Sequence, residues 1–202
     1  MENGINQAMQ QKYLINSEDK LLLISGFFTR QESDCFFERL DKSLNWQQEE
    51  IIIVGKKALV PRLISWYGDV GASYCYSGVT HQPQSWNEDL LEIKKRIEVF
   101  SGFSFNSVLA NLYRDGSDSM GWHADKEKQL GKNPAIASLS LGEKRLFKIR
   151  HNKTAETLDI QLSHGDLLLM SGALQHHWRH CVPKTKQQKK PRINLTFRNI
   201  VS

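Results

Sequence analysis

The sequence predicts one α+β domain that is mainly β, a sheet sandwich or barrel with helices packed on one side. Its 202 residues suffice for a single domain with a substantial core. Two helix-like segments lie in the first half, whereas from Phe105 onward apolar residues recur with a period of two. Because these helices do not alternate with the strands, a parallel doubly wound fold is disfavoured.

The first elements are a strand, a helix and a hairpin. Residues 21–28 are predicted to form a strand, and residues 30–44 form a helix with one apolar side. Residues 50–54 and 58–64 are predicted to be two strands joined around Gly55.

The clearest helix follows Ser85, which is predicted to form a capping box with Glu88. Gly102 is predicted to end this helix. Its apolar residues recur at steps of three and four, and they are Trp86, Leu90, Ile93, Ile97 and Phe100.

The second half is predicted to consist mainly of short strands. Glycine or asparagine at positions 142, 152, 165 and 172 provides the turns between them. The predicted strands are 105–113, 135–141, 145–151, 157–162, 166–170 and 192–200.

Positive charge is concentrated at the C-terminal end of a chain whose net charge is +5. Residues 167–202 contain no Asp or Glu, so their lysines and arginines are unopposed within the segment. Such a segment suits a polyanion, and nucleic acid is the first candidate partner. A solvated basic tail is the alternative interpretation.

Other features indicate a soluble intracellular protein. No apolar run is long enough to span a membrane, and the polar stretch 1–20 lacks the layout of a secretory signal. The three cysteines are far apart and form no CxxC motif, which favours a reducing compartment. We expect a monomer, in the cytoplasm of a bacterium or the nucleus of a eukaryote, with no membrane partner.

His123 and Asp125 are the first residues that indicate a chemistry. In an extended segment, side chains two residues apart point the same way and can converge on one cation. His176, His177 and His180 offer a third ligand. Two imidazoles and one carboxylate on one side of a metal are typical of non-haem iron(II) oxygenases, and a three-ligand zinc hydrolase is the competing interpretation.

A strand near the C-terminus favours iron over zinc. Its polar residues alternate strictly with apolar ones, so all four share one face, and they are Arg192, Asn194, Thr196 and Arg198. Two inward arginines require an anionic partner, and a dicarboxylate co-substrate would match both guanidiniums. Asn111 and Tyr113 share a face of another strand, and we expect them on the wall opposite Arg192.

Together these segments resemble the AlkB family of 2-oxoglutarate-dependent dioxygenases. The resemblance covers roughly residues 60–200, and the RxNxTxR pattern that begins at Arg192 is its most specific part. The other matching segments are Asn111-Leu112-Tyr113, Gly121-Trp122-His123-Ala124-Asp125-Lys126-Glu127, Ile136-Ala137-Ser138-Leu139-Ser140-Leu141-Gly142 and His180-Cys181-Val182-Pro183.

The resemblance implies a double-stranded β-helix, a jelly-roll core like that of cupins, with N-terminal helices on one sheet and a nucleotide-recognition lid. Within one structural domain, residues 1–20 would be a polar extension and residues 21–104 would hold the helices and the lid. Residues 105–202 would form the catalytic core.

By resemblance, the iron ligands would be His123, Asp125 and His180, with His177 as the alternative third ligand. Arg198 would hold the distal carboxylate of 2-oxoglutarate, and Arg192 would lie near the carboxylate that chelates iron. The whole co-substrate cradle would comprise Asn111, Tyr113, Arg192, Asn194, Thr196 and Arg198.

The resemblance also implies residues for substrate recognition. Tyr76 would stack on the extruded base, with Tyr74 and Ser77 beside it in the lid. Glu127 would face the amino group of the base, and Arg62 would contact phosphate. Members that repair duplex DNA carry an aromatic wedge in the hairpin where this chain has Val54.

The implied activity is oxidative demethylation of N-alkylated bases such as 1-methyladenine and 3-methylcytosine in DNA. Iron(II) would be the cofactor, 2-oxoglutarate and O₂ the co-substrates, and formaldehyde and succinate the products. Two alternatives stay open: an oxygenase of the same family that acts on RNA or on protein, and a non-catalytic nucleic-acid-binding module.

Overall fold

The structure of the protein is a computed structural model that describes residues 9–53, 56–72, 74–76 and 79–201. At 51–53, 56, 74–76 and 79–81 it describes the backbone.

The described residues form three α-helices, a short 3₁₀ turn and fifteen strands. The helices are α1 (Arg30–Ser43), α2 (Glu88–Ser101) and α3 (Leu174–His177), and the 3₁₀ turn is Lys128–Leu130. The strands are β1 (Gln10–Asn16), β2 (Asp19–Ser25), β3 (Glu50–Ile53), β4 (Lys56–Leu59), β5 (Leu63–Gly68), β6 (Tyr74–Tyr76), β7 (Val79–His81), β8 (Ser107–Tyr113), β9 (Met120–His123), β10 (Ile136–Gly142), β11 (Arg145–His151), β12 (Thr157–Leu162), β13 (Leu167–Gly172), β14 (Trp178–Val182) and β15 (Arg192–Arg198).

Two antiparallel sheets form the core of the molecule. The larger sheet has seven strands in the order β1-β2-β13-β10-β15-β8-β5, and the smaller has four in the order β12-β11-β14-β9. Apart from the consecutive pairs β1–β2 and β11–β12, neighbouring strands in each sheet come from distant parts of the chain, as expected of a jelly roll. The predicted mainly-β class is confirmed.

Two hydrophobic clusters hold the layers together. The first joins α1 and α2 to the outer face of the large sheet through residues such as Leu40, Ile93 and Leu195. The second includes Phe147, Ile149, Ile160 and Leu168 and fills the space between the two sheets. The predicted packing of helices on one sheet is therefore confirmed, and only part of the inner faces is left to line a cavity.

The helix ends follow local hydrogen bonding. Thr29 caps α1 in a capping box with Glu32. The capping box predicted at Ser85 is wrong, because α2 begins at Glu88 and the side chain of Asn87 accepts a hydrogen bond from the Leu90 amide. Gly102 ends α2 as predicted, in a left-handed conformation with φ of 71°.

The hairpin prediction was right in its first strand and wrong in its second. β3 and β4 pair in register from Glu50 opposite Leu59 to Ile53 opposite Lys56. The predicted strand 58–64 is divided into β4 and β5, since Pro61 lies between them and lacks an amide donor. Val54, the position of the expected wedge, lies outside the described residues.

Periodicity did not predict several of the described elements, among them β1, β9, α3 and β14. β1 lies at the edge of the large sheet within the stretch expected to be a polar extension, and β9, α3 and β14 carry mixed polar and aromatic residues. Among the described residues, no helix combines the length and apolar character that a membrane crossing needs.

Candidate active site

Two histidines and one aspartate meet between the sheets. The candidate ligand atoms of His123, Asp125 and His180 all lie within 4.8 Å of one another. His123 is opposite His180 in the pairing of β9 with β14, so the sheet register itself brings the two imidazoles together. Asp125 follows β9 directly and is buried.

Hydrogen bonds orient this group. The Nδ1 atom of His123 lies 2.9 Å from the Gly121 carbonyl oxygen, which can only accept, so Nδ1 carries the hydrogen and Nε2 is left as a metal-binding lone pair. The Asp125 amide donates to Oε1 of buried Gln175 over 2.9 Å. His180 packs against Phe147 with ring centroids 5.2 Å apart.

The charge states suit a metal cation. Burial raises the pKa of Asp125, but Arg198 and the two imidazoles outweigh it, so the pKa lies below the ordinary 3.8. Burial, reinforced by His123, lowers the pKa of His180 to about 3. At neutral pH the group therefore offers a carboxylate and a neutral His180 imidazole, the forms that ligate metals.

An inner compartment of about 480 Å³ lies beside the three residues. The four polar residues of β15 face it and are buried, whereas Ile193, Leu195 and Phe197 belong to the core on the other face. The predicted alternation of faces is confirmed. Because α1 and α2 cover its apolar face, the strand is buried on both faces.

Arg192 is a buried cation, and two of its nitrogens have no hydrogen-bond partner among the described residues. Its Nη2 donates to Ser140 Oγ over 2.9 Å, while within the described residues Nε and Nη1 have no hydrogen-bond partner. Burial lowers its pKa to about 10, so it stays charged at neutral pH. A buried guanidinium with two unused donors is matched by a carboxylate.

Asn111 and Tyr113 reach the inner compartment from β8. β8 is hydrogen-bonded to β15, and Tyr113 is the register partner of Arg192. The expectation that they lie on the wall opposite Arg192 was wrong, because the antiparallel pairing makes the two strands neighbours in one sheet. Tyr113 instead packs its ring against the guanidinium of Arg192, 5.3 Å from centroid to Cζ.

A second, outer compartment of about 620 Å³ adjoins the metal group. It combines apolar residues such as Val60 and Ile64 with the aromatic Trp66 and the acidic Glu127. The residues that line both compartments are Leu109, Met120, His123, Asp125 and Arg198. The metal group thus stands at the junction of a polar inner space and a more apolar outer one.

Comparison with known proteins agrees with this geometry. The family model of the 2OG-Fe(II) oxygenase superfamily matches residues 20–198. The chain belongs to this superfamily.

Its relatives place it in the AlkB branch of the 2OG-Fe(II) oxygenases. It is 42% identical over 191 residues to "Alpha-ketoglutarate-dependent dioxygenase alkB homolog 3" of Bos taurus, a match that covers 90% of this chain and 66% of that protein. It is 35% identical over 210 residues to "DNA oxidative demethylase ALKBH2" of Bos taurus, covering 98% of this chain and 76% of the relative.

A solved structure supports the fold. The structure of OsALKBH1 superimposes with a TM-score of 0.65 at 19% identity, covering 94% of this chain and 100% of the other. The predicted AlkB resemblance and jelly-roll core are confirmed. The chain spans just under two thirds of the homolog 3 protein.

The residues present fit the cofactors of 2OG-Fe(II) oxygenases. The two imidazoles and the carboxylate match an iron(II) site, and Asp125 Oδ2 is buried without a hydrogen-bond partner among the described residues. The two unused donors of Arg192 fit a carboxylate of 2-oxoglutarate. Iron(II) and 2-oxoglutarate, as predicted, are the cofactors that the family name specifies.

The two arginines of β15 have different partners in the inner compartment. Arg198 Nη2 donates to Asp125 Oδ1 over 2.6 Å, which places Arg198 at the metal end of the inner compartment. Arg192 lies at the other end, beside Tyr113 and Ser140. This placement favours Arg192 over Arg198 for the distal carboxylate, and the role predicted for Arg198 stays a prediction.

The other histidines of the cluster are engaged elsewhere. His177, the alternative third ligand, has Nδ1 2.8 Å from Asp19 Oδ1. His176 Nε2 contacts the Lys132 carbonyl and lies 3.1 Å from Asn133 Oδ1. His180 is the member of the cluster that reaches His123 and Asp125.

The residues expected to bind the substrate are only partly described by the structure. Glu127 lines the outer compartment. Arg62, expected to contact phosphate, is buried and lines the same compartment, and its Nε donates to Asn111 Oδ1 over 2.7 Å. Its contact with phosphate stays a prediction. Tyr74 and Tyr76 lie in β6, whose backbone alone is described, and Ser77 lies outside the described residues.

Three site residues escaped the sequence analysis. Gln175 orients Asp125, Ser140 holds Arg192, and Ser138 accepts a hydrogen bond from Asn194 over 2.8 Å. The alternation of Ser138 and Ser140 with apolar neighbours was a visible signal of a polar inner face. Gln175 gave no such signal, since it lies in a four-residue helix far along the chain from Asp125.

Proposed function

We propose that this protein is an iron(II)- and 2-oxoglutarate-dependent oxidative demethylase of N-alkylated bases in DNA. The observation that carries the proposal is the convergence of His123, Asp125 and His180 at the junction of two compartments. The names of two relatives, a 2-oxoglutarate-dependent dioxygenase and a DNA oxidative demethylase, support the same reaction class.

The inner compartment would hold the co-substrate. Arg192 would bind the distal carboxylate through its unused donors, and Asn194 and Thr196 would line the path toward the metal. Arg198 neutralises Asp125 Oδ1 and leaves Oδ2 for the metal. Asn111, held by Arg62, would contribute its amide group to the same wall.

The outer compartment would receive the damaged base. Methyl groups on the Watson–Crick edge are reached only when the base is flipped out or already single-stranded. Trp66, Val60 and Ile64 exclude water around it, and Glu127 would accept a hydrogen bond from an exocyclic amino group. A carboxylate also suits the positive charge of 1-methyladenine or 3-methylcytosine.

The chain's residues act mainly by placement. Bound iron(II) with 2-oxoglutarate and O₂ would supply the oxidation that hydroxylates the methyl carbon, with one oxygen atom entering the methyl group and the other entering succinate as carbon dioxide is lost. The shared wall of Leu109, Met120 and His123 would put that carbon next to the metal group. The hydroxymethyl group then leaves as formaldehyde, and the base is restored.

The basic segment after β14 would contact the phosphate backbone. Lys184, Lys186 and Lys190 are exposed there. Lys189 instead pairs with Glu143 over 3.1 Å, so the segment is less completely unopposed than its sequence indicates. Cations at this edge suit a polyanion.

The test is formaldehyde and succinate release with four oligonucleotides: single- and double-stranded DNA and RNA, each with one 1-methyladenine. We expect both products in equal amounts from at least one DNA substrate, and neither from unmethylated oligonucleotides. Release from RNA alone would move the protein to the RNA alternative. Release from none of the four, in iron-loaded protein, would refute the proposal.

A further inference from the structure

The outer face of the four-stranded sheet carries a tryptophan in contact with two arginines. The Cζ atoms of Arg150 and Arg179 lie 4.9 and 6.0 Å from the ring centre of Trp122. Trp122 lies on the edge strand β9, Arg179 on β14 and Arg150 on β11. Adjacent side chains of a strand face opposite ways, so Trp122 points away from the compartments that His123 lines.

The two arginines are an unfavourable pair without a ligand. Arg150 and Arg179 are register partners on neighbouring strands. Like charges directly opposite each other destabilise a sheet. Lys148 on the same face pairs with Asp159 over 3.2 Å, but no carboxylate in the described part of the chain pairs with either arginine. An external anion would relieve this repulsion.

The indole ring prepares the arginines for such an anion. Cation–π contact restrains each guanidinium beside the ring and leaves its hydrogen-bond donors available. Restraint before binding reduces the entropy lost when a ligand arrives. Trp122 itself stays 40% exposed, so the surface is open to a large partner.

We propose that Trp122, Arg150 and Arg179 form a phosphate clamp for the nucleic-acid strand that flanks the target nucleotide. The inference rests on the proposed function, because it assigns a second contact for the same substrate. Trp122 directly precedes His123 on the edge strand β9, where successive residues are about 3.3 Å apart. A nucleic-acid strand that leaves the outer compartment over this edge of the sheet would therefore meet the clamp. A phosphodiester is the chemistry that two adjacent guanidiniums recognise.

Binding tests the clamp without turnover. The double variant R150A/R179A is compared with K42A/K95A, which removes the same charge from exposed positions of α1 and α2. Fluorescence anisotropy with a labelled, unmodified single-stranded 12-mer is measured in metal-free protein at several salt concentrations. We expect R150A/R179A to raise Kd about tenfold and to lower the salt slope by about 0.7 per lost phosphate contact. K42A/K95A should change Kd less than twofold.

Turnover separates the clamp from the proposed function. On a methylated 12-mer, R150A/R179A should raise KM several-fold at unchanged kcat. The nucleoside 1-methyladenosine, which has no phosphodiester, should be turned over equally by the variant and the wild type. If the wild type turns over the 12-mer and R150A/R179A has the same KM as the control K42A/K95A, the clamp is overturned and the proposed function stays intact. No wild-type turnover on any substrate would remove the proposed function, while the anisotropy result would still decide the clamp.

A competition measurement with inorganic phosphate identifies the source of the phosphate that the clamp binds. Inorganic phosphate should displace the 12-mer only at concentrations that match its effect on ionic strength, because one isolated anion lacks the flanking contacts. Displacement at far lower concentrations, lost in R150A/R179A, would assign the clamp to free phosphate and overturn its nucleic-acid role. Circular dichroism of each variant verifies the fold.

Discussion

At the scale of single residues, the site depends on buried charges that satisfy one another only in part. Arg198 donates a hydrogen bond to Asp125. Arg192 has two nitrogens, Nε and Nη1, without a hydrogen-bond partner among the described residues, and His180 is buried as a neutral imidazole. Buried charges are costly unless they are paired, so the unused donors mark where a ligand belongs.

His123→Ala and Asp125→Ala should both abolish succinate release but differ in stability. His123 is half-buried, so its removal should change the free energy of unfolding by less than about 1 kcal/mol. Asp125→Ala removes the carboxylate that Arg198 contacts, and it should cost about 3 kcal/mol. Urea unfolding and a succinate assay measure the two effects. Wild-type succinate levels in either variant would contradict the ligand assignment.

Arg192→Met should separate folding from co-substrate binding. Methionine fills part of the space and removes a guanidinium with two unpartnered nitrogens, so the ligand-free protein should lose no stability. The KM for 2-oxoglutarate should rise at least about 100-fold, since a two-pronged charged contact is lost. Thermal melts with and without 2-oxoglutarate should show a ligand-induced rise in Tm for the wild type only. An equal rise in Arg192→Met would exclude Arg192 from the cradle.

At the scale of elements, local sequence patterns and tertiary contacts together determine where each helix begins and which face of a strand is polar. The strict alternation in β15 predicted its faces, because the chain separates polar and apolar residues at every step. The start of α2 was mispredicted because Ser85 and Asn87 are both good cap residues, and the backbone conformation selects between them.

Asn87→Ala and Ser85→Ala form a matched pair for this helix. Asn87 accepts from the Leu90 amide over 2.8 Å, so Asn87→Ala should destabilise the protein by about 1 kcal/mol. Ser85→Ala should stay within about 0.5 kcal/mol of the wild type. Chemical denaturation gives both values, and the opposite order would restore the capping box at Ser85.

At the scale of the whole molecule, two sheets and a helical layer create a space that neither sheet encloses alone. β9 and β14 bring the ligands from the small sheet, while β8, β10 and β15 supply the polar wall from the large one. His180 is buried in this space as a neutral imidazole. The free energy of unfolding therefore depends on pH in the acidic range.

Metal-free protein should lose stability as the pH falls from 6.5 toward 3. The pKa of His180 is lowered from 6.5 to about 3 in the folded state, so in this window the unfolded chain binds one more proton at this residue. The slope from one proton is about 1.4 kcal/mol per pH unit. Asp125, whose pKa is lowered, acts in the same direction below 3.8. His180→Asn should therefore show a shallower profile than the wild type in urea titrations at each pH, and parallel profiles would contradict this.

Motif spacing was enough to predict the family, the β-rich class and the polar face of β15, since these depend on residue order along one strand. The three-dimensional structure was needed to show that His177 is engaged by Asp19, to place Arg198 against Asp125, and to reveal Gln175 and Ser140. These depend on which strands pair and in which register. Pairing between segments distant in the chain is set by packing of the whole core, which no local pattern encodes.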